Sequence, residues 1–308
     1  MARYGSMVAL VIRETVYGTD PVPTAGANAI LFQDVTLTPI EADQVERPMV
    51  VPHYGNDPIL VTARRNRLAG AIDLAGSGAL GTVPGYGPLL RACGLAETIT
   101  ASTRVDYDPV SINEDSCTFY HFLDGTRQIG TGGRGSFGIE LAARQIPRLR
   151  FDMQALYAVP TAVALPNPTL TGFQAPLVVS QANTPTCTLN GQAVRLQSFS
   201  YDHGNQIVMR DMPNSRALRI VGRQPRATLT IEAPDAVSPD FFTPIGSLVA
   251  VSIIHGTVAG NIVEITMAQA RVLPSLRYGN DGNIATLTIE LRPEPTLAGN
   301  NEFNLKIR

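Results

Sequence analysis

The sequence predicts an all-β protein built as two copies of one domain. Three observations carry that expectation. Helix signals are scarce, while Gly and Pro (27 and 23 of 308 residues) recur along the whole length. Between them, β-branched and polar residues alternate at period two, as in half-buried strands bounded by turns. The third observation is a repeat. Residues 32–75 read FQDVTLTPIEADQVERP, a Pro-rich stretch, then LVTARRNRLAGAIDLA. Residues 196–233 read LQSFSYDHGNQIVMRDMP, a shorter stretch, then LRIVGRQPRATLTIEA. With about one gap in each part, Gln33 falls on Gln197, Arg47 on Arg210, Arg65 on Arg223 and Asp73 on Glu232. Each copy continues into a Pro-flanked apolar segment (85–95 and 239–249) and ends in a strand pair (138–156 and 273–291). The period is too long for a short-repeat solenoid, so the chain is a domain duplication.

In chain order, residues 1–27 read as an N-terminal arm, whose short apolar run MVALVIRE is followed by loop. The run is broken by Arg13 and Glu14 and does not read as a secretory signal. Domain one spans 28–160. Its segment 30–38 alternates, with Leu31, Gln33, Val35 and Leu37 on one side and Phe32, Asp34, Thr36 and Thr38 on the other. Residues 59–75 are its partner strand. The connection, 41–58, is far longer than an ordinary hairpin turn. It carries Val45, Arg47, Met49, Val50, Val51 and Tyr54, too apolar a set for a solvated loop. It is read either as a lid over its own domain or as an arm docking on another subunit. Residues 85–95 are the best helix candidate, with Leu89, Leu90, Cys93 and Leu95 at helical spacing and Gly94 at the end. Residues 115–130 read as a hairpin turning at Asp124-Gly125, and 136–157 as two strands around Arg144–Pro147. Residues 161–186, rich in Pro, Ala and Thr, form a stiff linker. Domain two follows at 187–293. A tail, 294–308, ends in an alternating segment able to join a sheet edge.

Composition excludes several function classes. A net charge of −2 argues against tight, sequence-independent binding of nucleic acid. No stretch approaches the roughly 18 apolar residues of a spanning helix. The three cysteines, Cys93, Cys117 and Cys187, lack the spacing of a disulfide framework or zinc site and fit free thiols in a reducing compartment. GTGGRGSFG at 130–138 has the glycine density of a nucleotide loop but matches neither a Walker nor a Rossmann pattern, and reads as a strand junction or subunit contact. His53, His121, His203 and His255 are isolated, and no GxSxG elbow is present. RRNR at 64–67 reads as a solvated face or a salt bridge to a neighbouring subunit, in preference to a phosphate site. No catalytic residue, cofactor or metal site is expected.

Several segments together resemble one family. They are ETVYGTDPVPTAGANAILFQDVTLTPIEADQVERP, GAIDLAGSGALGTVPGYGPLLRACGLAET, GSFGIELAARQIPRLRFDMQALYAVPT, SFSYDHGNQIVMRD, TIEAPDA and HGTVAGNIVEI. In this order they resemble the major tail (tail tube) proteins of long, flexible-tailed bacteriophages over about residues 10–293. The resemblance implies two tandem tail-tube-type β-sandwich domains. Each would have a short flanking helix and a long hairpin loop, and each would give four strands to an inner ring barrel. The duplication departs from the single-domain hexamer of most such proteins and implies a trimeric, pseudo-hexameric ring.

The implied partners are other copies of the chain in stacked rings, tail terminator and distal tail proteins, a tape measure protein inside the tube, and double-stranded DNA in transit without sequence-specific binding. The implied setting is the virion tail, assembled in the host cytoplasm. On this basis Asp34, Asp73, Glu140, Asp152, Asp202, Glu232 and Glu290 are expected to face the lumen, with Arg67, Arg150 and Arg292 among them, giving a mixed wall with an acidic excess. The loop residues Val45 to Tyr54 and the N-terminal arm are expected to stack rings, with 203–216 as a shorter equivalent. The competing expectation is a monomeric two-domain β-sandwich that binds carbohydrate or a receptor. The absence of Trp and the few aromatics count against it.

Overall fold

Alternation becomes strand almost throughout the computed structural model, which describes residues 7–233 and 245–308. The first half contains β1 (Met7–Arg13), β2 (Ala29–Ile30), β3 (Gln33–Glu46), β4 (Ile59–Asp73), α1 (Gly87–Ala92), β5 (Leu95–Thr100), β6 (Arg104–Pro109), β7 (Cys117–Leu123), β8 (Thr126–Ala142) and β9 (Arg148–Tyr157). The second contains β10 (Thr186–Leu189), β11 (Gln192–Ala193), β12 (Leu196–Asp202), β13 (Asn205–Met212), β14 (Ser215–Arg223), β15 (Arg226–Glu232), β16 (Leu248–His255), β17 (Val263–Val272), β18 (Arg277–Asp281), β19 (Ile284–Pro293) and β20 (Asn304–Ile307). Among the described residues the protein is all-β with one short helix. Part of the second apolar segment, residues 239–244, lies outside the described residues, as do residues 1–6.

The strand pairings define two runs. One run is β3-β4-β9-β8-β12-β15-β19-β18, antiparallel at every step. The other is β5-β6-β20-β17-β16-β10-β11. Alternate residues of the first run (Leu149, Phe151, Ile139, Phe199, Leu229, Ile289) share one core with residues of the second (Val105, Tyr107, Leu305, Ile265, Ile253). That is the arrangement of a sheet-on-sheet sandwich. The helix α1 packs Leu89 and Leu90 into the same core.

The two halves are joined in four ways. Strand β8 pairs with β12, so the first run continues across the junction. The tail strand β20 inserts between β6 of the first half and β17 of the second. Backbones meet where Gly78 N donates to Gly260 O at 2.9 Å. A Cβ on Gly76 would sit 2.1 Å from that same oxygen, so only glycine fits there. Finally, the hairpin β13–β14 folds back onto the first half: Asn205 Nδ2 donates to Cys93 O (2.6 Å) and Gly135 O (2.9 Å), and Ala63 N to Asp211 Oδ2 (3.1 Å).

Three expectations change against this fold. Residues 41–46 are strand, not loop: β3 and β4 form one long hairpin arm whose loop is only 47–58. Residues 7–13 of the expected N-terminal arm are built in as β1, paired with β7, because VALVI has a face that buries. The segment 203–216 leaves the sheet at Gly204 (φ +63°) and docks on its own protomer, instead of projecting as the shorter arm. The glycine-rich stretch 130–138 lies inside β8. There a Cβ on Gly133 would meet Cys117 O at 2.7 Å, and one on Gly135 would meet Met153 Sδ at 2.2 Å.

Candidate assembly surfaces

The face of the eight-strand run turned away from the core is polar. Register places the expected lumen residues on it together. Asp73 stands opposite Arg148, Asp152 opposite Ala69 and Glu140 opposite Arg148. Across the junction Ser200 faces Glu140 and Asp202 faces Gly138; further on, Thr228 faces Glu290 and Glu232 faces Thr286. Asp34 reaches the same face, with its carboxylate 3.5 Å from Arg148. It does so through a bulge: Gln33 pairs with Ala71 and Thr36 with Ala69, and Asp34 takes φ +52°. The extra residue resets the alternation. Phe32, expected beside Asp34, packs on the core with Val35 and Leu37 instead. Gln33 joins the polar face and donates to Asp73 Oδ2 at 2.8 Å.

Charge on this face is balanced, not acidic. Arg67 forks onto both carboxylate oxygens of Asp152, and that partner raises its pKa further. Arg150 meets Glu140 at 2.8 Å, Arg195 meets Glu232 at 3.1 Å and Arg277 lies 3.6 Å from Glu290. Arg148 lies between Asp34 and Asp73, 4.0 Å from the latter. Asp202 accepts the N–H of Gly204 at 3.0 Å. The expected acidic excess therefore fails, because the sequence reading missed Arg148, Arg195 and Arg277. The first could have been found: it is two residues before Arg150, hence on the same face of one strand. Two arginines of RRNR at 64–67 pair inside the chain, Arg67 with Asp152 and Arg65 with Glu41 (3.4 Å) and Asp43 (3.0 Å).

The hairpin arm is a second surface. Val50 and Tyr54 are as exposed as isolated residues (107% each), and Val45, Met49 and Val51 are also exposed, as are Ile59, Leu60 and Val61 on β4. Arg47 closes the loop through its N–H to Pro58 O, 3.0 Å. Apolar exposure this contiguous marks a contact site.

The two ends of the eight-strand run are a third. Among the described residues, β3 pairs only with β4 and β18 only with β19. Soluble monomers rarely leave such edges open.

The buried polar groups are structural. Glu14 is nearly inaccessible and accepts from Ser116 Oγ, Thr118 Oγ1 and Gly132 N (2.6 Å each) and Gly18 N (2.8 Å). His203 stacks on Phe137 at 4.7 Å and bonds Tyr201 Oη at 2.9 Å; burial, aided by Arg223, pushes its pKa down to about 3. All three cysteines are buried, and burial raises each thiol, Cys187 to about 12, away from nucleophilic thiolate. No cluster among the described residues could hold a metal ion. No helix among them is long and apolar enough to cross a membrane.

A β-sandwich with one flat polar face, two open sheet edges and an apolar arm has the form of a subunit made for a larger β assembly. The family model of phage tail tube proteins matches residues 5–300, and the chain belongs to that family. It is a structural component of a phage tail, where copies assemble into a tube. No curated protein matches the chain.

Proposed function

We propose that this chain is the duplicated form of a major tail protein of a long, flexible-tailed phage. Three copies form a pseudo-hexameric ring, and rings stack into the conduit for DNA. The observation that carries this is the order of the eight-strand run. The quartet β3-β4-β9-β8 of the first half is followed by β12-β15-β19-β18 of the second, with corresponding strands in corresponding places. Each half supplies the same four-strand wall, so three chains supply about 24 strands. At ~4.8 Å spacing and ~40° tilt these close a cylinder roughly 48 Å across, leaving a bore of roughly 35–40 Å after side chains, wide enough for duplex DNA. The polar face lines it. Its paired charges present phosphate with little net attraction, so DNA slides without being held. Before ejection the bore holds the tape measure protein, and terminator and distal tail proteins cap the tube's ends. Assembly takes place in the host cytoplasm. The arm, with Val45, Arg47, Met49, Val50, Val51 and Tyr54, docks on the adjacent ring.

Negative-stain microscopy of the purified protein tests this. Rings or tubes with a central hole are expected. A stable monomer at high concentration, unaffected by deletion of 45–56, would refute it. Charge reversal at Asp73 and Glu232 tests the lining. It should make assembled tubes retain DNA at low salt, and an unchanged retention would move these residues out of the bore.

A further inference from the structure

We infer that the ring closes by pairing β18 of one copy with β3 of the next, antiparallel, in the register Thr36 opposite Gly279 and Thr38 opposite Arg277. This rests on the tube reading above and goes beyond it by naming the strands and their register. The protein carries its own template for the contact. At the junction inside the chain, β8 closes the first quartet and β12 opens the second. They pair Asp202 with Gly138, Tyr201 with Ile139, Ser200 with Glu140, Phe199 with Leu141 and Ser198 with Ala142.

The two quartets superpose residue on residue. Asp73 faces Arg148 and Glu232 faces Thr286, while Glu140 faces Arg148 and Gly279 faces Thr286; hence Glu140 corresponds to Gly279. Thr36 faces Ala69 and Ser200 faces Thr228, and Ala69 and Thr228 each lie four residues before the matched Asp73 and Glu232; hence Thr36 corresponds to Ser200. Carrying the junction pairs across gives Thr38–Arg277, Leu37–Tyr278 and Thr36–Gly279; beyond Thr36 the bulge at Asp34 shifts the count by one, so Gln33, which faces Ala71 as Ser198 faces Thr230, comes opposite Asp281.

Direction and chemistry agree with this pairing. The run has eight strands, each antiparallel to its neighbour, so β18 presents the direction that a following β3 requires. Leu37 already leans on the core and is half-buried, and Tyr278, whose counterpart Ile139 is core, is exposed in the lone protomer. Pairing would cover both, as Ile139 and Tyr201 cover each other at the internal junction. No like charges are set opposite each other: the residue brought to Asp281 is the amide Gln33, and Asp281 already accepts from Gln197 Nε2 at 2.9 Å. Both edges would be lost on closure, which removes the aggregation hazard of an open sheet.

Cysteine crosslinking tests the register. Paired residues on neighbouring strands lie about 4.5–5.5 Å apart at Cα, within disulfide range. The native cysteines are buried and do not compete. Mild oxidation of assembled Thr38→Cys/Arg277→Cys protein should give covalently linked chains on non-reducing gels. Mixing the two single variants should give a linked dimer, which shows that the bond is between copies. Asp34→Cys/Arg277→Cys, offset by four residues, should link at least tenfold less. Tubes that form by microscopy but link equally or better through the offset pair, or not at all, overturn this pairing and leave the tube intact. Absence of any ring or tube from the unsubstituted protein overturns the pairing and the tube together.

Discussion

Glu14 anchors the start of the chain to the sheet, and its removal has a calculable cost. Four donors converge on it, two hydroxyls (Ser116, Thr118) and two backbone N–H groups (Gly18, Gly132), from three separate stretches of chain. A hydrogen bond to a charged group contributes about 1.5–3 kcal/mol, but the four are not additive. Glu14→Ala leaves four donors in a site that water reaches poorly, and breaking a buried charged network costs about 3–5 kcal/mol. Glu14→Gln keeps the size and one carbonyl oxygen. Oε1 takes Thr118 and Gly132, and Oε2 takes Ser116 and Gly18. An amide nitrogen at the Oε2 position can donate to a rotated Ser116 hydroxyl, but it opposes the fixed Gly18 N–H. Only one donor is orphaned, for about 1–3 kcal/mol. Urea unfolding of dispersed subunits, followed by circular dichroism, should rank wild type above Gln above Ala. Equal stabilities for Gln and Ala, or a loss under about 1 kcal/mol for Ala, would mean that water replaces the carboxylate and that the network does not anchor the N-terminal segment.

Four further outcomes are expected. His203 has a folded-state pKa of about 3, below its ordinary 6.5, so its stabilising effect is full above pH 6.5 and falls as pH drops towards 3; at pH 5 the loss is about 2 kcal/mol, and His203→Phe should flatten that part of the stability–pH curve. His121 and His255 are also lowered by burial and add in the same direction, so a wild-type curve that is flat from pH 7 to 5 would count against all three. Val50→Asp combined with Tyr54→Ser should leave subunit stability within about 0.5 kcal/mol, since both side chains are fully exposed, yet leave rings unstacked by electron microscopy. Gly260→Ala, at φ +87° and with its Cβ 2.6 Å from the backbone of Gly78, should cost about 2 kcal/mol or more in a urea titration.

The fold was legible wherever one face of a strand was apolar and the other polar. That pattern marked β9, β15 and β19, while β7, buried on both faces, was marked by the Asp124-Gly125 turn that follows it, with Gly125 at φ +75°. The repeat pointed to strands that pair alike, since Asp73 on β4 and Glu232 on β15 each stand on the second strand of a four-strand stretch. What escaped had no periodic signal. The bulge at Asp34 depends on a backbone angle, so Phe32 was assigned to the wrong face. Glu14 appeared only as a break in an apolar run, because its four donors are as far as Gly132 in sequence. The charge balance was misjudged because an arginine's partner lies on the adjacent strand: Arg148 reaches back to Asp34, and Arg195 to Glu232.

The two halves differ most in the hairpins β3–β4 and β13–β14, and that difference has a physical direction. In the second copy the chain breaks out at Gly204 and Pro225, and the hairpin spends its polar groups on its own first half. Asp211 takes the N–H of Ala63, Arg216 donates to Arg64 O, and Leu218 is held by Tyr17. In the first copy β3 and β4 run on unbroken to Glu46 and Ile59, and the apolar tip finds no comparable partner inside the chain among the described residues. One hairpin therefore ties the two halves together, and the other leaves its apolar tip exposed, as the stacking proposed for it requires. A ring of identical single domains would need each hairpin to do both. With the tasks divided between the copies, a substitution in 205–223 should act on subunit stability, and one in 47–58 on assembly.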